Sequence, residues 1–279
     1  MPETGRETAG PLFLWQIFWP FWVDDAVAVC VAQLGPADMA SCLLLSFLIS
    51  FSVLYPFYRR REKRSRTVRE TESYTGHTER TECVVPDDAW KKEDAGIREN
   101  VIWILKLFLS AASVSVFLNL SFRLPVIREF FFRDSGAAGT LFHMPLYMQI
   151  IVMGIASPLE EELLFRGMMF NRLRVILPFF PAAVVSAAFF GFVHRGMAQI
   201  LFAGVLGFLL AVIYERFRKL WPVFVFHCGA NLASVALEAS GGISDSAGIY
   251  ICLLVCSGAG IFLGLREFMK QNRRPCEEE

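Results

Sequence analysis

Residues 158–174 read Pro-Leu-Glu-Glu-Glu-Leu-Leu-Phe-Arg-Gly-Met-Met-Phe-Asn-Arg-Leu-Arg. Three consecutive carboxylates, Glu160, Glu161 and Glu162, stand at the end of an apolar run, and Arg166 follows one helical turn later. In a water-soluble helix this would be an ordinary charged face. Here the flanking sequence is apolar enough to sit in lipid, where an ionisable cluster is costly and marks a candidate functional site. The stretch therefore bears on both the fold and the position of any chemistry.

Working outward, the chain has 279 residues, is 54% hydrophobic and includes 27 Phe. Several of its apolar runs approach the ~20 residues that cross a bilayer as a helix. The expected fold class is all-α, a polytopic transmembrane helical bundle of seven to eight spans. Formal net charge is zero, which gives no reason to expect a nucleic-acid partner. The seven cysteines, at positions 30, 42, 83, 228, 252, 256 and 276, form no Cys-x-x-Cys pair. Most fall within apolar runs and read as small buried hydrophobes, with no disulfide or zinc framework.

Beyond the acidic stretch, Pro178 and Pro181 end a helix expected over residues 141 to about 176. Apolar runs at 182–193, 198–214, 221–237 and 249–265 follow, with Ser240-Gly241-Gly242 as a breaker. Before it, 101–122 and 39–58 read as spans. The Trp- and Phe-rich run 12–23, interrupted by Pro20 and stopped by Asp24 and Asp25, suits the membrane interface; joined to 26–34 it makes an imperfect first span. Both readings stay open. No small-residue cleavage pattern follows it, so no removable signal peptide is expected.

The basic run Arg59-Arg60-Arg61-Glu62-Lys63-Arg64-Ser65-Arg66 places the end of the 39–58 span in the cytoplasm. Residues 59–100 are polar and charged and read as a cytoplasmic loop with little core of its own. Its basic residues anchor topology, with contact to anionic lipid headgroups as the alternative. Residues 123–140 make an external loop. Arg216, Arg218, Lys219, Lys270, Arg273 and Arg274 then fall on the cytoplasmic side, while Arg123, Arg128 and Arg133 fall on the other. The organisation expected is thus an interfacial segment and first span or spans in 1–58, the charged loop 59–100, a helical core over 101–270, and a tail at 271–279. No internal repeat is present, which disfavours a small transporter.

Four histidines occur, His77, His143, His194 and His227. The first two read as solvated or interfacial. Phe190 and His194 lie four residues apart and share a helix face, as do His227 and Asn231. Glu162 and Arg166 have the same spacing, with the acid N-terminal, and read as a structural ion pair. Glu161 lies about 100° around the helix from Glu162, free to point elsewhere. With His194 it would serve as a general base, while His227 and Asn231 would donate to an oxyanion on a scissile carbonyl. An activated water attacking a peptide bond is the reaction these parts fit. For each histidine alone an interhelical hydrogen bond is the commoner explanation, and the acids alone fit an ion or proton path equally well.

Glu161-Glu162-Leu163-Leu164-Phe165-Arg166 resembles the Glu-Glu-x-x-x-Arg motif of the CPBP family, the CAAX-protease and bacteriocin-processing (Abi-like) intramembrane proteases. Phe190-Gly191-Phe192-Val193-His194 is similar to its Phe-x-x-x-His motif, and His227-Cys228-Gly229-Ala230-Asn231 to its His-x-x-x-Asn motif. The three occur in the family's order within about residues 145–240. The resemblance implies an intramembrane endopeptidase in which Glu161 and His194 activate water, His227 and Asn231 stabilise the oxyanion, and Glu162 and Arg166 support them. The triple Glu leaves open whether Glu160 shares the task of Glu161; Arg166 sets the register at Glu161 and Glu162. No His-Glu-x-x-His zinc site exists, and no cofactor is expected, although two His and one Glu would suffice as catalytic zinc ligands. The expected partners are a membrane-associated protein or peptide substrate and the lipid bilayer itself. The expected location is the plasma membrane, as a multi-pass protein of a prokaryotic inner membrane. The alternative is a non-catalytic scaffold or immunity protein of the same fold.

One expectation conflicts with this assembly. As straight rods in alternating orientation, the helices put His194 towards the outer leaflet and His227 towards the cytoplasmic one. Gly191 and Gly196, flanking His194, offer a break or a close helix approach.

Overall fold

A computed structural model describes residues 11–35, 38–75, 97–124, 144–194, 196–240 and 247–271, and every regular element among them is helical. His77, His143, Arg128, Arg133, Cys83 and Cys276 lie outside the described residues, as does most of the expected external loop. The elements are α1 (Pro11–Leu34), α2 (Met39–Thr75), α3 (Ile97–Arg123), α4 (146–176), α5 (Phe179–Phe192), α6 (Met197–Phe217), α7 (Leu220–Ala239) and α8 (Ala247–Gln271). Stretches within α1, α2, α3, α6 and α7 are long and apolar enough to cross a membrane. The chain is a multi-pass integral membrane protein.

At the N-terminal end one open reading is decided and one expectation changes. The pieces 12–23 and 26–34 form one helix that continues through Pro20. Asp24, one of the two acids that interrupt the span, is half-buried and accepts a hydrogen bond from Ser50 of α2 at 2.7 Å, while Asp25 is exposed. The changed expectation concerns the basic run: α2 continues through it to Thr75, so the expected loop at 59–100 begins as helix. Arg, Glu and Lys are good helix formers, and no Gly or Pro falls between Phe57 and Thr75. At its other end α2 is capped by Asp38, whose Oδ1 accepts the Ser41 backbone N–H at 2.8 Å. That hydrogen bond holds the Asp38 carboxyl below the usual carboxylate range.

α4 is the central element. Every residue from Leu163 to Phe170 is buried, in contact with α1, α2, α5, α6 and α7. Phe165 meets Phe21 of α1 at 5.0 Å and Phe190 of α5 at 4.9 Å between ring centroids, both edge-on. At the C-terminal end of α4, Arg174 forks onto Glu215 of α6 at 2.9–3.2 Å, and Asn171 donates to the Tyr214 hydroxyl at 2.6 Å. On the outside of the bundle α3 packs against α7 and α8, with Ser115 and Asn119 hydrogen-bonded to Ser234 at 2.8 and 3.1 Å.

The cysteines do not all behave as expected. Cys228 is buried, but Cys30, Cys252 and Cys256 are exposed on α1 and α8, on faces suited to lipid. An apolar thiol is as much at home there as in the core.

α4 is one helical rod but not a regular one. Val152–Ala156 and Leu163–Phe170 are π-helical, between α-helical segments Leu146–Ile151, Ser157–Glu162 and Asn171–Ile176. Pro158 accounts for the first wide turn, because its ring lacks an N–H and clashes with the carbonyl four residues back. The turn re-aims everything after it, including the three glutamates.

α5 is short: its 14 residues rise about 21 Å, less than the ~30 Å hydrocarbon core. Gly196 starts α6 with φ 86°, a conformation for which glycine is the natural residue, and the chain reverses there. Gly191 lets the two helices touch: a Cβ there would lie 2.8 Å from the Ile200 carbonyl oxygen. Gly191→Val is therefore expected to lower stability by about 1–3 kcal/mol, the usual cost of overpacking, read as a lower melting temperature in detergent.

Candidate active site

The three motifs converge where α4, α5 and α7 meet. Glu162 of α4 is fully buried and its Oε1 takes two donors. Arg166 Nη1 lies at 3.2 Å, one turn along the same helix, and His227 Nδ1 of α7 lies at 2.7 Å. Arg166 is itself fully buried, donates through Nη2 to the Gly207 carbonyl of α6 at 2.9 Å, and lies over the Phe190 ring at 4.5 Å. The expected Glu162–Arg166 pair is present, and it is also the anchor of His227. Spacing within α4 could not have revealed this, since His227 lies 65 residues away.

Glu161 points differently. Its Oε1 accepts a hydrogen bond from Ser157, one turn earlier on α4. Its Oε2 is buried, has no hydrogen-bond partner among the described residues, and lies 3.7 Å from His227 Nε2. Glu160 takes a third direction: only 2% exposed, it faces Asp24 of α1 and Ser50 of α2. Three adjacent carboxylates on one helix thus serve three surroundings.

His194 lies in the turn after α5. Its Nδ1 is 2.7 Å from the Phe190 carbonyl oxygen, and since a carbonyl only accepts, Nδ1 carries the proton and Nε2 is left as the acceptor in the neutral ring. Among the described residues no hydrogen bond or ion pair joins His194 to Glu161. The two histidines meet instead through Phe190, whose ring stands edge-on to His194 at 5.1 Å and to His227 at 5.6 Å. Phe190 was expected only to share a face with His194; it is the common wall of the whole cluster.

Asn231 donates through Nδ2 to the Met153 carbonyl at 2.8 Å, which lies in the first π turn of α4. One amide N–H is therefore committed to holding that turn, and the other remains on the same nitrogen. Two further residues escaped notice in the sequence, Ser157 and Met153. The i, i+4 spacing of Ser157 to Glu161 was a usable signal; nothing in the sequence pointed to a backbone carbonyl. Among the described residues no group of three or more His, Cys, Asp or Glu side chains is placed to hold a metal ion.

Residues 143–233 match the family model described as type II CAAX prenyl endopeptidase Rce1-like, and all three motifs fall within the match. The resemblance they carry is borne out over that segment. A protein of Bacillus subtilis (strain 168), named provisionally as the membrane peptidase YdiL, is 36% identical over 91 residues, 33% of this chain and 37% of that protein. The UPF0177 protein YxdF of Lactococcus lactis subsp. lactis (strain IL1403) is 30% identical over 100 residues, 36% of this chain and 55% of that protein. The similarity thus spans about a third to a half of the length of these relatives. No solved structure matches the chain.

Proposed function

From the similarity of residues 143–233 to the type II CAAX prenyl endopeptidases, we propose that this chain is an intramembrane endopeptidase of the CPBP type. The observation that carries the reading is the state of Glu161: one carboxylate oxygen is held by Ser157, while the other is buried and unpartnered beside His227. A buried carboxylate oxygen without a donor is expensive, and a water molecule is the donor that the reaction needs there.

In this reading Glu161 takes a proton from the water as its oxygen adds to the scissile carbonyl carbon. His194, with Nε2 left as acceptor, is the second base of the site. The oxyanion that forms is met by His227 Nε2–H, with Glu162 holding the ring at Nδ1, and by the remaining N–H of Asn231. Collapse of the intermediate breaks the C–N bond, and the proton held by Glu161 goes to the leaving amine. Glu162 and Arg166 act through His227, which they hold in place. No step is routed through a metal. The substrate class is a membrane-associated protein or peptide reaching the site from the bilayer, and the location is the plasma membrane of a prokaryote.

The test compares peptide termini in membranes from cells making wild type and Glu161→Gln at matched levels. Neo-termini present only with wild type are expected, with at least about a hundredfold loss in the variant and unchanged abundance of folded protein. Identical termini, with both proteins folded and abundant, would replace the enzyme by a scaffold of the same fold.

A further inference from the structure

Ser52, Ser110 and Ser113 each donate to the backbone carbonyl four residues back, at 2.6, 2.8 and 2.9 Å, a common way for a hydroxyl to be satisfied in a helix. Ser50 and Ser115 instead reach side chains of other helices, Asp24 and Ser234. Ser157 bonds a side chain of its own helix. It stands between the π turn Val152–Ala156 and Pro158, and its hydroxyl donates forward to the Glu161 side chain.

We infer that Ser157 is a positioning residue for Glu161, on the reading that Glu161 is the base. A glutamate has three side-chain torsions, and Glu161 lies outside the tight core that holds Glu162; its approach to His227 Nε2, at 3.7 Å, is longer than a hydrogen bond. Its side chain is 20% exposed, whereas that of Glu162 is 1% exposed. Without a second tie it would sample several rotamers, and its free oxygen would face His227 only part of the time. The Ser157 hydroxyl occupies Oε1 and leaves Oε2 as the one proton-accepting atom, 3.7 Å from His227 Nε2. Because donor and acceptor lie one turn apart on the same helix, the tie moves with α4 and holds whatever the substrate does to the neighbouring helices.

The experiment follows the accumulation of neo-termini with time in isolated membranes, normalised to folded protein, for wild type, Ser157→Ala, Ser157→Thr and Glu161→Gln. Ser157→Ala is expected to slow cleavage about ten- to hundredfold, the loss of one hydrogen bond to a charged group. Its abundance and melting temperature should stay at wild-type values, and Ser157→Thr should recover most of the rate, because only the hydroxyl is required. Where alanine lowers abundance, Ser157→Cys keeps the size with a much weaker donor and should be slowed likewise. Wild-type rates in Ser157→Ala or Ser157→Cys overturn the inference, as does equal slowing of the alanine and threonine variants. If wild type itself yields no more neo-termini than Glu161→Gln, the catalytic reading falls and this inference with it.

Discussion

Arg166→Ala is expected to remove most of the folded protein from the membrane. The guanidinium is fully buried and bridges Glu162 on its own helix to the Gly207 carbonyl on α6. Removing it strands a buried carboxylate with His227 as its remaining partner, and breaking a buried pair from one side costs about 3–5 kcal/mol. Total stabilities are about 5–15 kcal/mol, so the variant sits near the threshold for folding. Lysine should rescue poorly, since Nη1 and Nη2 serve partners in two directions and an ammonium cannot reproduce that fork. Replacing Glu162 and Arg166 together by methionine should recover abundance without recovering cleavage, because the uncompensated charge is then gone while His227 has lost its anchor. Membrane levels at matched expression and melting in detergent read both effects. Wild-type abundance of Arg166→Ala would show that the pair does not hold the bundle together.

Phe190→Ala is the second large effect. The ring is fully buried, with Phe165 at 4.9 Å, His194 at 5.1 Å, His227 at 5.6 Å and the Arg166 guanidinium at 4.5 Å. Emptying such a site costs about 3–5 kcal/mol in the core alone, and here the cavity opens between both histidines. Phe190→Leu separates the two roles. It refills most of the volume and should cost less than about 1.5 kcal/mol. It removes the aromatic wall against which both imidazoles rest, so cleavage should still fall by at least about tenfold per folded molecule. If the leucine variant cleaves at the wild-type rate, Phe190 is core packing and nothing more.

Much of the site was legible because its parts are local. The Glu162–Arg166 pair follows from a spacing of four on one helix, and the divergence of Glu161 from Glu162 follows from the 100° between neighbours. The close approach at Gly191 and the reversal at Gly196 were likewise visible as two glycines around a histidine. What failed was pairing across distance. Spacing offered no way to tell that His227 would take Glu162 and approach Glu161, or that His194 would hydrogen-bond its own helix. The register question around Glu160 had the same origin: the sequence separates the faces of α4 without saying which of them meets α1.

An all-helical membrane chain, the approximate bounds of its apolar stretches and the gathering of its chemistry in three motifs could all be read from the residues alone, since lipid leaves a hydrophobic run few options but a helix. How α4 is wound and what its side chains touch depend on the packed bundle. Two π turns rotate the residues that follow them, and contacts with five other helices then give each of the three carboxylates different surroundings. Periodicity reports which residues share a face of one helix. Which faces come together depends on close packing over the whole bundle, where a helix can satisfy its buried polar groups in only a few rotations at once.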